Sequence, residues 1–180
     1  MENTTLIGRY APDFELRGID DSVHHLARYL EDLKLVGVVF MCNHCPYVGM
    51  YLERLKTIQA TFQAQGFTLV GINSNDATQF PEDSFDQMKI FAAERQLNFP
   101  YLRDDTQDVA RSFHAEKTPQ VFLINHQSVI CYGGGIDDDP QNGSTIPHRY
   151  LEDAILEILR GKAVSVTSGP AVGCSIKWRT

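Results

Sequence analysis

The chain has no cluster of basic residues and no long apolar segment. Its 16 lysines and arginines are outnumbered by 23 aspartates and glutamates, which gives a net charge of -7. A basic patch is the usual mark of binding to nucleic acid or to an anionic membrane, so neither partner is expected. The longest apolar run, Leu35 to Cys42, is far too short to cross a bilayer.

Cysteine is also scarce, with four in 180 residues, which is too few for a disulfide scaffold. The first nine residues lack the basic region and apolar core of a signal peptide, so we expect a cytoplasmic protein. The length suits one well-packed domain spanning 1–180, and we expect a monomer or a weak dimer. The glycines form no phosphate-binding or dinucleotide-binding motif, and no cofactor is expected.

Two of the cysteines, Cys42 and Cys45, follow an apolar run that predicts a buried strand over 35–41. Behind them, apolar residues recur every three or four positions and predict a helix over 46–65. Pro46 is tolerated only in the opening turn of a helix, so the helix must begin beside the cysteines. The free N–H groups of a helix start favour negative charge, and we therefore expect a thiolate there.

The two-residue spacing places Cys45 one helical turn behind Cys42, where it can attack a mixed disulfide formed by Cys42. His44, if protonated, would add positive charge beside the pair. A zinc site would need four ligands, usually a second cysteine pair or a histidine pair, and the sequence offers neither. The spacing therefore predicts a centre for thiol–disulfide exchange and no metal.

The rest of the pattern predicts an α/β fold with a central mixed sheet flanked by helices. A strand over 67–72 completes a β-α-β unit with the first strand and the helix. A capping box at Ser84 opens a helix that ends near residue 96, and Thr106 caps a short one. The remaining segments are a hairpin of strands over 120–124 and 129–132, a last helix over 147–161, an N-terminal extension over 1–34 and an unassigned C-terminal tail over 162–180.

With Cys42-Asn43-His44-Cys45 at a strand-to-helix junction and Thr118-Pro119 before a hairpin, the chain resembles the thioredoxin superfamily. The segment 8–16, Gly-Arg-Tyr-Ala-Pro-Asp-Phe-Glu-Leu, is similar to the opening of its redoxin branch, which holds AhpC/TSA-like peroxiredoxins and thiol–disulfide oxidoreductases. The ending Gly-Cys-Ser-Ile-Lys-Trp, residues 173–178, resembles the tail of a bacterial thioredoxin-like group in that branch. The resemblance covers nearly the whole chain.

The resemblance implies a role for each site residue. Cys42 would attack a substrate disulfide and Cys45 would resolve the intermediate. Pro119 would be cis, and Thr118 would offer its backbone to an extended substrate segment, with Asn43 and His44 also bordering the substrate. The substrate would be a protein or small-molecule disulfide, and an external thiol reductant would recycle the protein.

Two features depart from thioredoxin. Val36 stands where thioredoxins place a buried acid, and Met41 stands where a tryptophan usually precedes the first cysteine. The residue that would accept the proton of Cys45 is therefore not visible in the sequence. Cys174 is a candidate auxiliary thiol, able to pair with Cys42 or with a partner.

Two alternatives stay open. A peroxiredoxin-like peroxidase would align its reactive cysteine on Cys45, but Cys42 and Val38 then stand where threonine and proline belong. A non-catalytic copper or zinc carrier of the same fold would have a three-residue spacing between its cysteines, and this pair is separated by two.

Overall fold

The computed structural model describes residues 6–141 and 146–180, so the first five residues of the expected N-terminal extension lie outside it. These residues form nine strands, in chain order β1 (Glu15–Gly18), β2 (Val23–His25), β3 (Leu35–Phe40), β4 (Phe67–Asn73), β5 (Tyr101–Arg103), β6 (Lys117–Thr118), β7 (Gln120–Asn125), β8 (Ile130–Gly134) and β9 (Cys174–Ser175). The α-helices are α1 (Leu26–Asp32), α2 (Pro46–Phe62), α3 (Phe85–Glu94), α4 (Asp108–Ser112) and α5 (Tyr150–Leu159).

Seven strands make one mixed sheet in the order β2-β1-β5-β4-β3-β7-β8. Strand β3 pairs in parallel with β4 and antiparallel with β7, and every residue of β3 is buried. A strand buried on both faces reads as a continuous apolar run, which is why the pattern over 35–41 was informative. The predicted α/β class and mixed sheet are confirmed.

Helices cover both faces of the sheet. Side chains of α2, α3 and α5 pack in one apolar cluster, and side chains of α1 and α4 pack in the other. The two clusters contact opposite faces of β3, so this strand is held firmly in the core. The chain leaves the core after Phe40, the last residue of β3. The cysteine motif begins two residues later.

The segment 15–25 and the C-terminal tail both join β-sheets. Strand β1 pairs with β2 and with β5, so residues 15–25 extend the main sheet. The tail, which the sequence leaves unassigned, forms β9 and pairs antiparallel with β6. Helix α5 begins at Tyr150 and not at Pro147, because the backbone N–H of Asp138 binds the carbonyl of His148 and holds that stretch in a loop.

A buried ion pair fastens α2 to the loop after β8. Arg54 donates to both carboxylate oxygens of Asp137, at 2.8 and 2.6 Å, and also to the carbonyls of Asp139 and Pro140. Asp137 is only 4% exposed. The loop that follows β8 is therefore anchored to the same helix that carries Cys45 at its start.

Replacing Arg54 by methionine should destabilise the protein by about 3 kcal/mol, because it leaves the Asp137 carboxylate buried without its partner. Urea unfolding at pH 7 measures the change. Arg17→Met is the matched control: its ion pair with Asp21 is just as short, 2.6 Å, but both side chains are more than half exposed. The control should lose less than about 1 kcal/mol, and equal losses would contradict the assignment.

Within the described ranges, no helix is both long enough and apolar enough to cross a membrane.

Candidate active site

The cysteine motif lies where β3 ends and α2 begins, as the sequence predicts. Cys45 is the N-cap residue of α2, in an extended conformation, and Pro46 occupies the first turn. Cys42 and Cys45 are 1% and 4% exposed. The chain therefore delivers both sulfur atoms to the start of a seventeen-residue helix, but neither is open to solvent.

Thr118 packs directly on the two sulfur atoms. The Thr118–Pro119 peptide bond is cis, as the resemblance implied. The hydroxyl of Thr118 lies 3.5 Å from Cys42 Sγ, and its carbonyl oxygen lies 3.4 Å from Cys45 Sγ. One residue thus contacts both sulfurs from the strand that precedes the hairpin.

Cys45 is bonded to Cys174 in this structure, and Cys42 is a free thiol. The pairing differs from the expectation that Cys174 would bond Cys42 or a partner. The reason lies in the tail: β9 runs antiparallel to β6 with Cys174 opposite Thr118, whose carbonyl faces Cys45. The structure therefore holds the Cys42–Cys45 pair in a form in which the two sulfurs are not joined.

A buried carboxylate beside the motif was not found from the sequence. Asp83 is fully buried and lies 2.7 Å from Nδ1 of His44. It also accepts the backbone N–H of Asn43 at 2.7 Å and the amide groups of Asn73 and Asn75. Asp83 therefore fixes the backbone of the motif and the ring of His44 at the same time.

Asn43 is held from a second direction. The hydroxyl of Tyr101 donates to its side-chain oxygen at 2.7 Å, and its amide donates to the carbonyl of Glu82. Tyr101 is itself fully buried in β5. Both residues between the cysteines are thus fixed by polar contacts, so the motif is a rigid turn rather than an open loop.

The electrostatics differ from the expectation of an easily ionised Cys42. Burial raises the pKa of the Cys42 thiol, and the charge of Asp83 raises it further. Hydrogen bonds from the Thr118 hydroxyl and from the backbone N–H groups of Cys45 and His44 lower the pKa, but by less than burial and Asp83 raise it. With the tail closed over the site, Cys42 is therefore protonated at neutral pH.

Alkylation of Cys42 should reflect that raised pKa. With Cys45 bonded to Cys174, iodoacetamide should react slowly with Cys42 at pH 7 and faster as the pH rises, with a midpoint above about 8.5, the ordinary value, because only the thiolate reacts. The measurement uses the Cys131→Ser variant, which removes the other free thiol. A midpoint below pH 7 would contradict the assignment.

Cys42, His44 and Asp83 are also the described residues that could offer ligands to a metal ion. Their ligand atoms lie within 4.8 Å of one another. His44 Nδ1 is already paired with Asp83, and Cys42 already contacts Thr118. The three donors fall one short of the four that a structural zinc site uses, so the cluster fits a hydrogen-bonded group better than a resident metal.

Asp83 escaped prediction because it lies in a polar stretch, 73–83, that reads as an exposed loop. The usable signal was indirect: a carboxylate just before the Ser84 cap, in a chain that lacks the acid expected at Val36. Asp83 lies forty residues from Asn43 in the chain, and the two meet only in the folded protein. Only the folded chain reveals that contact.

The profile of the AhpC/TSA family matches residues 7–132, which include the cysteine motif, the Thr118–Pro119 bond and most of the hairpin. This chain belongs to the AhpC/TSA family. Its membership confirms the redoxin branch of the thioredoxin superfamily and supports an oxidoreductase of the thiol–disulfide or peroxiredoxin-like kind. No curated protein matches the chain by sequence.

Two solved structures are similar over the full length of this AhpC/TSA-family chain. A hypothetical protein from Sinorhizobium meliloti 1021 is 34% identical, with a TM-score of 0.91 over 99% of this chain and 98% of its own. An uncharacterized conserved protein from Geobacillus kaustophilus is 36% identical, with a TM-score of 0.91 over 99% and 95%. The thioredoxin domain of a thiol-disulfide oxidoreductase from Bacteroides vulgatus is 19% identical, with a TM-score of 0.61 over 71% and 86%, and shares the fold.

Proposed function

We propose that the protein is a thiol–disulfide oxidoreductase in which Cys42 attacks a substrate disulfide and Cys45 resolves the mixed disulfide. The observation that carries the proposal is that both sulfurs lie at the start of α2 and that Thr118 contacts both of them. The site thereby combines a free thiol, a second sulfur three residues further along the chain at the N-cap of α2, and N–H groups that favour a thiolate leaving group.

The reaction begins with loss of the Cys42 proton. The thiolate forms a bond to one substrate sulfur, and the other substrate sulfur leaves with the bonding electrons. Cys45 then attacks Sγ of Cys42, releases the second substrate thiol and forms the Cys42–Cys45 disulfide. An external thiol reductant returns the protein to its dithiol form, so each cycle transfers two electrons.

His44 is the proton acceptor that this geometry favours. Its Nδ1 lies 2.7 Å from Asp83 and its Nε2 lies 3.9 Å from Glu82. The ring stacks on Phe80, and one of its nitrogens lies within 4.8 Å of Cys42 Sγ. A nucleophile, a base and a carboxylate that orients the base form a recurring arrangement in covalent catalysis. Asp83 is thus assigned to orienting the base that serves Cys42, and it does not replace the acid that would accept the proton of Cys45.

His44→Gln should slow the first step about a hundredfold at pH 7, because glutamine can hold a hydrogen bond but cannot accept the proton. The rate of mixed-disulfide formation with glutathione disulfide is followed by stopped flow. His148→Gln is the control: His148 makes the same 2.7 Å contact with a carboxylate, Asp138, but on an exposed part of the surface. Similar rates in the two variants would remove His44 from the mechanism.

A peroxidase is the second candidate, and one observation favours it. Cys45 is the N-cap of α2 and is bonded to a cysteine of the tail, as expected if Cys45 reacted first and Cys174 resolved it. Against it, Cys42 and Val38 replace the threonine and proline of that motif.

Mixing the reduced protein separately with glutathione disulfide and with hydrogen peroxide decides between the candidates. We expect the disulfide to modify Cys42 and peroxide to react with Cys45 no faster than with the half-buried Cys131. Rapid stoichiometric oxidation of Cys45 by peroxide, with no adduct on Cys42, would establish the peroxidase instead.

A further inference from the structure

The C-terminal tail, residues 162–180, extends to the active site. Its strand β9 pairs with β6 on the edge formed by Thr118, the residue that touches both sulfurs. In the resemblance described above, that edge receives an extended substrate segment. Here the chain itself fills it, and places Cys174 on Cys45.

Contacts on both sides of Cys174 fix the register of the tail. A Cβ atom on Gly173 would lie 2.2 Å from the carbonyl oxygen of Thr118, so only glycine lets the two backbones approach this closely. Beyond Cys174, the side chain of Ile176 is 3% exposed and its N–H binds the carbonyl of Glu116. The backbone N–H of Lys177 donates to the side-chain oxygen of Asn75, and its carbonyl accepts the backbone N–H of Asp76.

The two sulfurs of the bond differ in access. Cys45 is 4% exposed, whereas Cys174 is partly exposed at the rim. Cys42, which takes no part in this bond, is buried and contacts the Thr118 hydroxyl. A reductant can therefore approach the bond from the side of Cys174 and not from the side of Cys42.

We propose that Cys174 is a third redox cysteine that takes over the disulfide from the Cys42–Cys45 pair and presents it to the reductant. The proposal rests on the function proposed above. In this proposal Cys42 is the residue that passes electrons to the substrate, and Cys174 is the residue that receives electrons from the reductant. The strand β9 positions Cys174 for both steps.

The transfer balances without any further reactant. The Cys174 thiolate bonds to Sγ of Cys45, the Cys42–Cys45 bond breaks, and Cys42 leaves with the electron pair and takes up the proton that Cys174 gave. The pairing of β9 with β6 holds Cys174 against Cys45, and the released Cys42 thiol keeps its contact with the Thr118 hydroxyl. Over the whole sequence, one substrate disulfide becomes two thiols while Cys45 and Cys174 are oxidised.

The test follows which cysteines are joined after the reduced protein meets one equivalent of glutathione disulfide. Samples are quenched in acid at successive times, alkylated and mapped by non-reducing peptide mass spectrometry. In the wild type we expect a glutathione adduct on Cys42, then Cys42–Cys45, then Cys45–Cys174 in most of the oxidised protein. In Cys174→Ser the sequence should end at Cys42–Cys45, and Cys131→Ser should behave as the wild type.

A second variant keeps all three thiols and moves only the tail. Gly173→Val sets a side chain against the Thr118 carbonyl, and it should lower the yield of Cys45–Cys174 at least about tenfold while Cys42–Cys45 still forms. Circular dichroism confirms that the variant is folded.

The outcomes separate the two proposals. A wild-type protein that stops at Cys42–Cys45, with Cys174 alkylated as a free thiol, overturns the transfer and leaves the exchange mechanism intact. Formation of Cys45–Cys174 with no earlier adduct on Cys42 overturns both. An unchanged yield of Cys45–Cys174 in Gly173→Val overturns the role of β9.

Discussion

Replacing Cys42 by serine should lower the rate of disulfide reduction at least about a thousandfold, because a hydroxyl at that position cannot form the mixed disulfide. The rate is measured as turnover of glutathione disulfide under saturating dithiol reductant, after subtraction of the uncatalysed reaction. The expected loss is in turnover and not in substrate affinity, since the removed atom forms a bond and does not merely contact the substrate.

Cys131→Ser provides the control for this result. Cys131 is the other free thiol, but it lies in β8 and its sulfur contacts the carbonyl of Val129, not the site. Its replacement should leave turnover unchanged. If Cys42→Ser kept a tenth or more of the wild-type rate, Cys42 could not be the attacking cysteine.

Replacing Asp83 by alanine should lower both stability and turnover. The change leaves the N–H of Asn43 and the amides of Asn73 and Asn75 without their acceptor and frees His44. Each buried donor left unsatisfied costs about 1 to 3 kcal/mol, so a loss of about 4 kcal/mol is expected. Turnover per folded molecule should fall about a hundredfold because the base loses its orientation.

Asp104→Ala is the control that separates the loss of stability from the loss of turnover. Asp104 is equally buried and also accepts several hydrogen bonds, from Ser74 and from the first backbone N–H groups of α4. None of these donors belongs to the cysteine motif. Both variants should unfold at lower urea concentration, but only Asp83→Ala should lose turnover at a temperature where both are folded. Equal turnover in the two folded variants would reduce Asp83 to a structural residue.

The sequence was informative where the signal is local. The apolar run before Cys42 and the helical spacing after Pro46 both lie within thirty residues, and they predicted β3 and α2 correctly. Thr118-Pro119 was placed correctly because a known family shares it. These features account for the sheet, the main helix and two of the three cysteines in the site.

The features that the sequence did not predict depend on contacts between residues that are far apart in the chain. Cys45 and Cys174 are separated by 129 residues, and nothing near Cys174 indicates which thiol it reaches. The strand β9 is two residues long, below the length at which alternation can be detected. Asp83 looks like a loop residue until β4 and β5 bury it. The raised pKa of Cys42 follows from the same burial, which a helix-start argument alone does not include.

The central claim is that Cys42 is the first cysteine to bond a substrate disulfide. Its most direct test is a trap: the double variant Cys45→Ser, Cys174→Ser is mixed with glutathione disulfide, and the adduct is located by peptide mass spectrometry. A stable glutathione adduct on Cys42 is predicted, because neither resolving thiol remains to release it. No adduct on Cys42, together with a stable adduct on Cys45 in the variant Cys42→Ser, Cys174→Ser, would contradict the account.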